Sequence, residues 1–232
     1  MARQLILIRH GDDPPDDRVT SFAIEAGFEP VFRKPFRGDA LGPPGPDVAG
    51  TVIYGGPFSV FDEAAHPFLR NEARWIAACM AAGVPVLGLC QGGQQIARLL
   101  GAHVGPPDSG VHEFGYYEVT PTEAAVTEGF LTAPLHVALS HWHQFAVPEG
   151  AVRLAASELY PNQAFRHGDR TYALQFHPEC TIEGFRRWQG QPWAAYCKPG
   201  AQDRAEQDRL MARHDAAQAA WFYGFLARLF RG

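Results

Sequence analysis

Val84-Pro85-Val86-Leu87-Gly88-Leu89-Cys90-Gln91-Gly92-Gly93-Gln94 runs an apolar segment straight into a cysteine that two glycines follow closely. Residues 84–89 have the length and branching of a buried strand, and the apolar residues of Gln94-Gln95-Ile96-Ala97-Arg98-Leu99-Leu100 recur at helical spacing. Cys90 therefore falls on a strand-to-helix elbow, the turn that exposes a nucleophile at the rim of an α/β sheet. A helix N-terminus also offers unpaired N–H groups that favour anions.

Upstream of the elbow the signals alternate: strand at 4–8, helix at 17–26, strands at 30–33 and 51–54, then a helix over 68–82 that closes at Gly83. That rhythm predicts a parallel, doubly wound sheet. Beyond Gly101 the strands shorten, at 116–119, 135–139, 153–156, 163–166 and 171–176, between Pro and Gly turns. Residues 203–230 read as a helix with one broad apolar side that includes Leu210, Trp221, Phe225 and Leu229. The fold expected is α/β: a doubly wound, mostly parallel central sheet flanked by helices, with extra short strands in the second half and a C-terminal helix. Proline-rich stretches at 12–16, 42–47 and 105–107 are loop-sized, so one body is expected, residues 1–200 with a helical extension 201–232 packed on it.

Composition narrows the function. The 232 residues are 46% hydrophobic, ample for a single core, and a net charge of -5 without a basic run argues against a nucleic-acid surface. Cys79, Cys90, Cys180 and Cys197 form no C-x-x-C pair, which predicts neither a zinc knuckle nor a disulfide framework and points to a reduced, cytoplasmic setting. No apolar run reaches the length of a membrane span, and the N-terminal one is short for a secretory signal.

A cysteine hydrolase needs a base for the thiol proton, a group that orients the base, and N–H donors for an oxyanion. Thr171-Tyr172-Ala173-Leu174-Gln175-Phe176-His177-Pro178-Glu179 is a strand that ends in a histidine, with a carboxylate two residues on. Cys90 and His177 both follow strand C-termini, hence one rim of a parallel sheet, and Glu179 is placed to orient the imidazole. Val52-Ile53-Tyr54-Gly55-Gly56-Pro57-Phe58 ends a third strand in glycines whose backbone approaches a ligand closely.

Gly88-Leu89-Cys90-Gln91-Gly92-Gly93-Gln94, Gly55-Gly56-Pro57 and Gln175-Phe176-His177-Pro178-Glu179 together resemble the motifs of class I, triad-type glutamine amidotransferases, in order and spacing. The resemblance runs from near the N-terminus to Glu179 and is most similar to stand-alone relatives of the GMP synthase amidotransferase domain. It implies a flavodoxin-like sheet, Cys90 as nucleophile, His177 as general base and acid, and Glu179 as orienting carboxylate. It further implies backbone N–H groups of Gly56 and Gln91 in the oxyanion hole, Phe58 at the entrance, and Gln94 against glutamine. Ser140, Trp142 and His143, in Ser140-His141-Trp142-His143, match the segment that holds the substrate's α-amino and α-carboxylate groups. Gln91 stands where a bulky apolar residue is more usual, and Trp142 where several relatives carry glycine. The implied reaction needs no cofactor or metal: the γ-amide is cleaved through a γ-glutamyl thioester.

Other readings make different predictions. Leu7-Ile8-Arg9-His10-Gly11 imitates the R-H-G signature of histidine phosphatases, yet no second catalytic histidine accompanies it; in the amidotransferase reading His10 merely ends the first strand. His136, His141 and His143 offer histidines for a metal but lack a nearby acidic or cysteine ligand. A relative without catalysis would persist as a binding or regulatory subunit. Within the enzyme class, the chain carries no P-loop, so ammonia goes to a separate ATP-dependent synthetase, or the protein is a γ-glutamyl peptide hydrolase with no such partner.

Overall fold

A computed structural model describes residues 3–231. In chain order the elements are β1 (Gln4–Ile8), α1 (Arg18–Glu25), β2 (Glu29–Arg33), β3 (Val48–Ile53), α2 (Phe68–Ala81), β4 (Val86–Leu89) and α3 (Gln91–Leu99). There follow β5 (Val104–Gly105), β6 (Glu113–Pro121), α4 (Glu123–Thr127), β7 (Leu135–His141), β8 (Gln144–Phe145), β9 (Val152–Ala156), β10 (Ala164–His167), β11 (Thr171–Leu174), α5 (Ile182–Gln189) and α6 (Arg204–Arg231). Nine strands form one sheet in the order β2-β1-β3-β4-β11-β10-β9-β6-β7. The β2, β1, β3, β4 and β11 pairs are parallel, and the pairs from β11 out to β7 are antiparallel. The chain thus has the expected mostly parallel sheet with flanking helices, extended on one side by an antiparallel meander.

Period-two alternation of side chains builds the two layers. Leu5 and Leu7 join Val52, Leu87, Leu89 and Leu174 on one face, covered by Val19 and Phe22 of α1 and by Phe222, Phe225, Leu226 and Leu229 of α6. Ile6 and Ile8 join Ile53, Val86 and Ala173 on the other, covered by Trp75 and Ile76 of α2 and Ile96 of α3. Residues of α6 therefore belong to the same apolar cluster as the central strands. Three of its buried residues are polar (Gln207, Asp215 and Gln218), and the apolar periodicity gave no warning of them. Gln207 Nε2 donates to the Phe114 carbonyl at 2.9 Å and Gln218 Oε1 accepts from the Ala138 N–H at 2.6 Å, which ties the helix to β6 and β7.

Several boundaries differ from the sequence expectation. The helix after Cys90 begins at Gln91 rather than Gln94, because the glycine pair carries no apolar period to reveal its first turn. β4 begins at Val86 and β11 ends at Leu174, each two residues short of the apolar run. The short helices α4 and α5 had no predicted counterpart; Thr122 and Thr181 cap them, accepting from Ala125 N–H and Gly184 N–H. Among the described residues, no helix is long and apolar enough to cross a membrane.

Two contacts place the elbow. β11 pairs with β4 so that Leu174 faces Leu89, and the Cys90 N–H continues this ladder to the Leu174 carbonyl at 2.7 Å. On the other side α3 starts flush against β3 and β4: a Cβ added to Gly92 would lie 2.0 Å from the Ile53 carbonyl oxygen, and one on Gly88 would lie 2.5 Å from the Gly92 carbonyl. Gly92→Ala must push backbone against backbone, so urea denaturation should show a loss of about 1–3 kcal/mol. A variant as stable as wild type would mean that α3 does not sit this close.

Candidate active site

Cys90 occupies the turn between β4 and α3 at φ 48° and ψ -104°. Among the described residues it is the one non-glycine with positive φ. Such a conformation costs about 1–3 kcal/mol, which the surrounding structure must offset. Here the Cys90 N–H is fixed to Leu174 and the Cys90 carbonyl accepts the Gln94 N–H at 2.9 Å. The turn leaves Sγ at the carboxyl ends of the strands, 3.9 Å from the Ser140 carbonyl and 3.5 Å from the Gln175 Nε2 donor. The first N–H groups of α3 lie beside it with no acceptor inside the helix.

Past β11 the chain crosses the same rim. The Gln175 N–H bonds to the Gln163 carbonyl and the His177 N–H to the Ala138 carbonyl, both at 2.8 Å, fixing the backbone on either side of Phe176. His177 is buried, its Nδ1 is 2.8 Å from Glu179 Oε1, and its ring lies near Cys90, a Cβ on Gly55 falling 2.7 Å from His177 Cε1 and 3.4 Å from Cys90 Cβ. A carboxylate accepts only, so the Nδ1 proton belongs to the Glu179 bond and Nε2 is left for the sulfur. Trp188, from α5, packs on the imidazole in a T-shaped arrangement with 4.8 Å between ring centroids. Burial alone would push the His177 pKa down, but the Glu179 carboxylate and Cys90 outweigh it and hold the group up at about 10.

The glycine strand end approaches as the sequence implies. A Cβ on Gly55 would lie 2.7 Å from His177 Cε1, and one on Gly56 would lie 2.4 Å from His10 Cβ. His10 does more than end β1. Its Nδ1 is 3.1 Å from the Tyr54 carbonyl and 3.3 Å from that of Gly55, while Nε2 meets both Glu72 oxygens at 3.1 and 3.0 Å. Gln95 Nε2 donates to the same carboxylate at 2.6 Å. This buried set props the Gly55-Gly56 loop from beneath, in place of the role sequence alone gave His10.

All ten sequence-predicted site residues line one cavity of about 880 Å³: Cys90, His177 and Glu179 with Gly56, Phe58, Gln91, Gln94, Ser140, Trp142 and His143. Their individual placements add detail. The Phe58 N–H donates to Gln91 Oε1 at 3.0 Å, so the unusual side chain at 91 holds the entrance loop by its backbone. Gln94 Nε2 bonds the His143 carbonyl at 3.3 Å and Gln175 Oε1 at 3.1 Å. Trp142 is 47% exposed and stacks on His112 with 5.7 Å between ring centroids. Burial, then His141 and His112, push the His143 pKa down. His141 also lines the cavity, bonded to Glu113 at 2.8 Å and to the His143 carbonyl at 2.9 Å. His136 stacks instead on His214, 3.9 Å away, and among the described residues no group of three or more His, Cys, Asp or Glu is arranged to hold a metal.

Sequence reasoning left out Gln175, Trp188, Glu72 and Arg18 from this neighbourhood. Gln175 was within a quoted motif, whereas Trp188 rides on the unpredicted α5.

A family model described as glutamine amidotransferase class-I matches residues 40–187. The glutamine amidotransferase-like protein YfeJ of Salmonella typhimurium is 32% identical over 176 residues, 70% of each chain. The GMP synthase of Porphyromonas gingivalis is 35% identical over 137 residues, 57% of this chain and 25% of that protein, so the chain spans about a quarter of the GMP synthases it matches. Among solved structures, a glutamine amidotransferase from Methylobacillus flagellatus superposes with a TM-score of 0.89 at 24% identity, covering 100% of this chain and 95% of the other, a likeness of fold.

The raised pKa gives a signed prediction. The stabilisation from the His177 ion pairs is complete below the ordinary value of 6.5 and is lost as pH rises through about 10. In an NMR titration the His177 ring should stay protonated at pH 8, and Glu179→Gln should move its midpoint down by about 1–3 units. An unchanged midpoint would show that Glu179 does not hold the charge.

Proposed function

The chain belongs to the class-I glutamine amidotransferases, and from that premise we propose that it hydrolyses γ-glutamyl amides with Cys90, His177 and Glu179 as its catalytic residues. The observation that carries this reading is the buried imidazole bonded to Glu179 at 2.8 Å and set beside Cys90, with Gly55 packed close against both. Cys90 Sγ, as thiolate, adds to the γ-carbonyl carbon, and the oxygen takes the negative charge against the N–H groups of Gly56 and Gln91. His177 then gives its Nε2 proton to the leaving nitrogen, the C–N bond breaks, and ammonia departs from a γ-glutamyl thioester. Nε2 next takes a proton from water as the water oxygen adds to the thioester carbon. Collapse expels the sulfur and leaves glutamate. Glu179 fixes the ring tautomer throughout, and the neighbouring donors are set before charge develops, so little reorganisation is required.

On this reading the released ammonia can be consumed by another polypeptide. The relatives include GMP synthases, in which the matching region is a quarter of the protein. A separate synthetase is therefore the partner this reading favours.

A second reading has its own support in the cavity. A space of about 880 Å³ is the size of a site for a drug-sized ligand rather than for one amino acid. Its lining includes Trp142, 47% exposed, and Trp193, 54% exposed, which present aromatic surface to the cavity. Such walls suit a γ-glutamyl conjugate whose leaving amine is bulky and apolar.

Glutamate release from glutamine and from γ-glutamyl-tryptophan, measured side by side, tests both readings. Wild type should release glutamate, and Cys90→Ser or His177→Ala should lower turnover by on the order of a hundredfold or more. Undiminished release by Cys90→Ser would end the hydrolase reading. A higher kcat/KM for the conjugate, reduced several-fold by Trp193→Ala, would favour the second reading; preference for glutamine and stimulation by an added synthetase would favour the first.

A further inference from the structure

The catalytic loop His177-Pro178-Glu179-Cys180 is gripped by one distant side chain. Arg18, the first residue of α1, donates its backbone N–H to the Glu179 carbonyl at 2.9 Å and its Nη1 to the Pro178 carbonyl at 3.0 Å and to the Cys180 carbonyl. Three consecutive carbonyls are thus held by a single residue. Its Nη2 is turned the other way, 2.8 and 2.7 Å from the two oxygens of Asp215 on α6. Tyr116 on β6 donates its hydroxyl to the same carboxylate at 3.1 Å. Arg18, Asp215 and Tyr116 are all buried.

A packed helix gains nothing from an acid on its apolar face unless that acid is paired, and here its partner reaches the loop on either side of Glu179. The guanidinium is a planar fork: holding Asp215 with Nη2 fixes where Nη1 points. We propose that Arg18 and Asp215 are positioning residues for the reaction, through which α6 sets where Glu179 and His177 stand relative to Cys90. The proposal rests on Cys90 and His177 being the reacting pair.

The test compares Asp215→Asn, Arg18→Lys and the milder Tyr116→Phe in the full chain. Phe222→Leu, which loosens α6 in the core away from the loop, is the control. Two readouts are taken at a temperature where circular dichroism shows each variant folded. One is kcat and KM for the better substrate of wild type. The other, independent of substrate, is the iodoacetamide alkylation rate at Cys90, read by peptide mass spectrometry against exposed Cys197.

Asp215→Asn and Arg18→Lys should lower kcat by on the order of ten- to a hundredfold with a smaller change in KM, and slow Cys90 alkylation relative to Cys197, with Tyr116→Phe between them and wild type. The alkaline limb of the kcat profile should also move to lower pH, as His177 loses part of the Glu179 interaction that opposes its burial. Phe222→Leu should lower the melting temperature and leave kcat and alkylation near wild type. If the Arg18 and Asp215 variants lose only thermal stability, as the control does, they are a fold staple and the proposal is overturned. If wild type releases no glutamate, the hydrolase reading fails by itself and the alkylation comparison still decides the positioning role.

Discussion

The site depends on the turn at Cys90. A cysteine at positive φ is an unfavourable local conformation, and three constraints hold it: the ladder bond to Leu174, the bond from Gln94, and the close fit of Gly92 on the Ile53 carbonyl. One comes from α3 itself and the other two from the neighbouring strands β11 and β3. The register that pairs Leu89 with Leu174 also sends the next residues of both strands over the same rim, which is why His177 meets Cys90 although the two are far apart in sequence. The antiparallel meander β6 to β10 is the means by which the chain returns to β4 for that last parallel pairing.

Charge is distributed around this turn in layers. His177 is buried where desolvation opposes its charged form, so its protonation depends on Glu179 and Cys90. Behind Glu179 stand Arg18 and Asp215, which fix the loop's backbone, and beneath the glycine loop stand His10, Glu72 and Gln95. Buried polar groups of this kind are costly when unpaired, so they have few alternative arrangements. The result is a rigid set of donors and acceptors around an open, aromatic-walled cavity.

Much of this was legible in the sequence because the chemistry is local. The elbow at 84–94, the glycines after β3 and the histidine and carboxylate at 177 and 179 each announce themselves within a few residues. The alternating first half also fixes the parallel sheet. What could not be read was set by topology. Asp215 reaches Arg18 across a separation of 197 residues, and on its own helix it looks like a polar interruption of an apolar stripe. His10 looked like a strand end because its partner Glu72 is 62 residues away. Trp188 was missed with α5, an eight-residue helix whose apolar positions are too few for periodicity to stand out. Gln91, noted as a departure, acquired a function only when its Oε1 was found on the Phe58 amide.

The central claim is that Cys90, activated by His177, attacks the carbonyl carbon of a bound γ-glutamyl amide. The most direct measurement is peptide mass spectrometry after exposure to a glutamine analogue bearing a chloromethyl ketone at the γ-position. The account predicts a single adduct on Cys90, formed more slowly when excess substrate is present and lost in His177→Ala. Labelling of exposed Cys197 in preference to Cys90, or labelling of Cys90 at the same rate without His177, would contradict it.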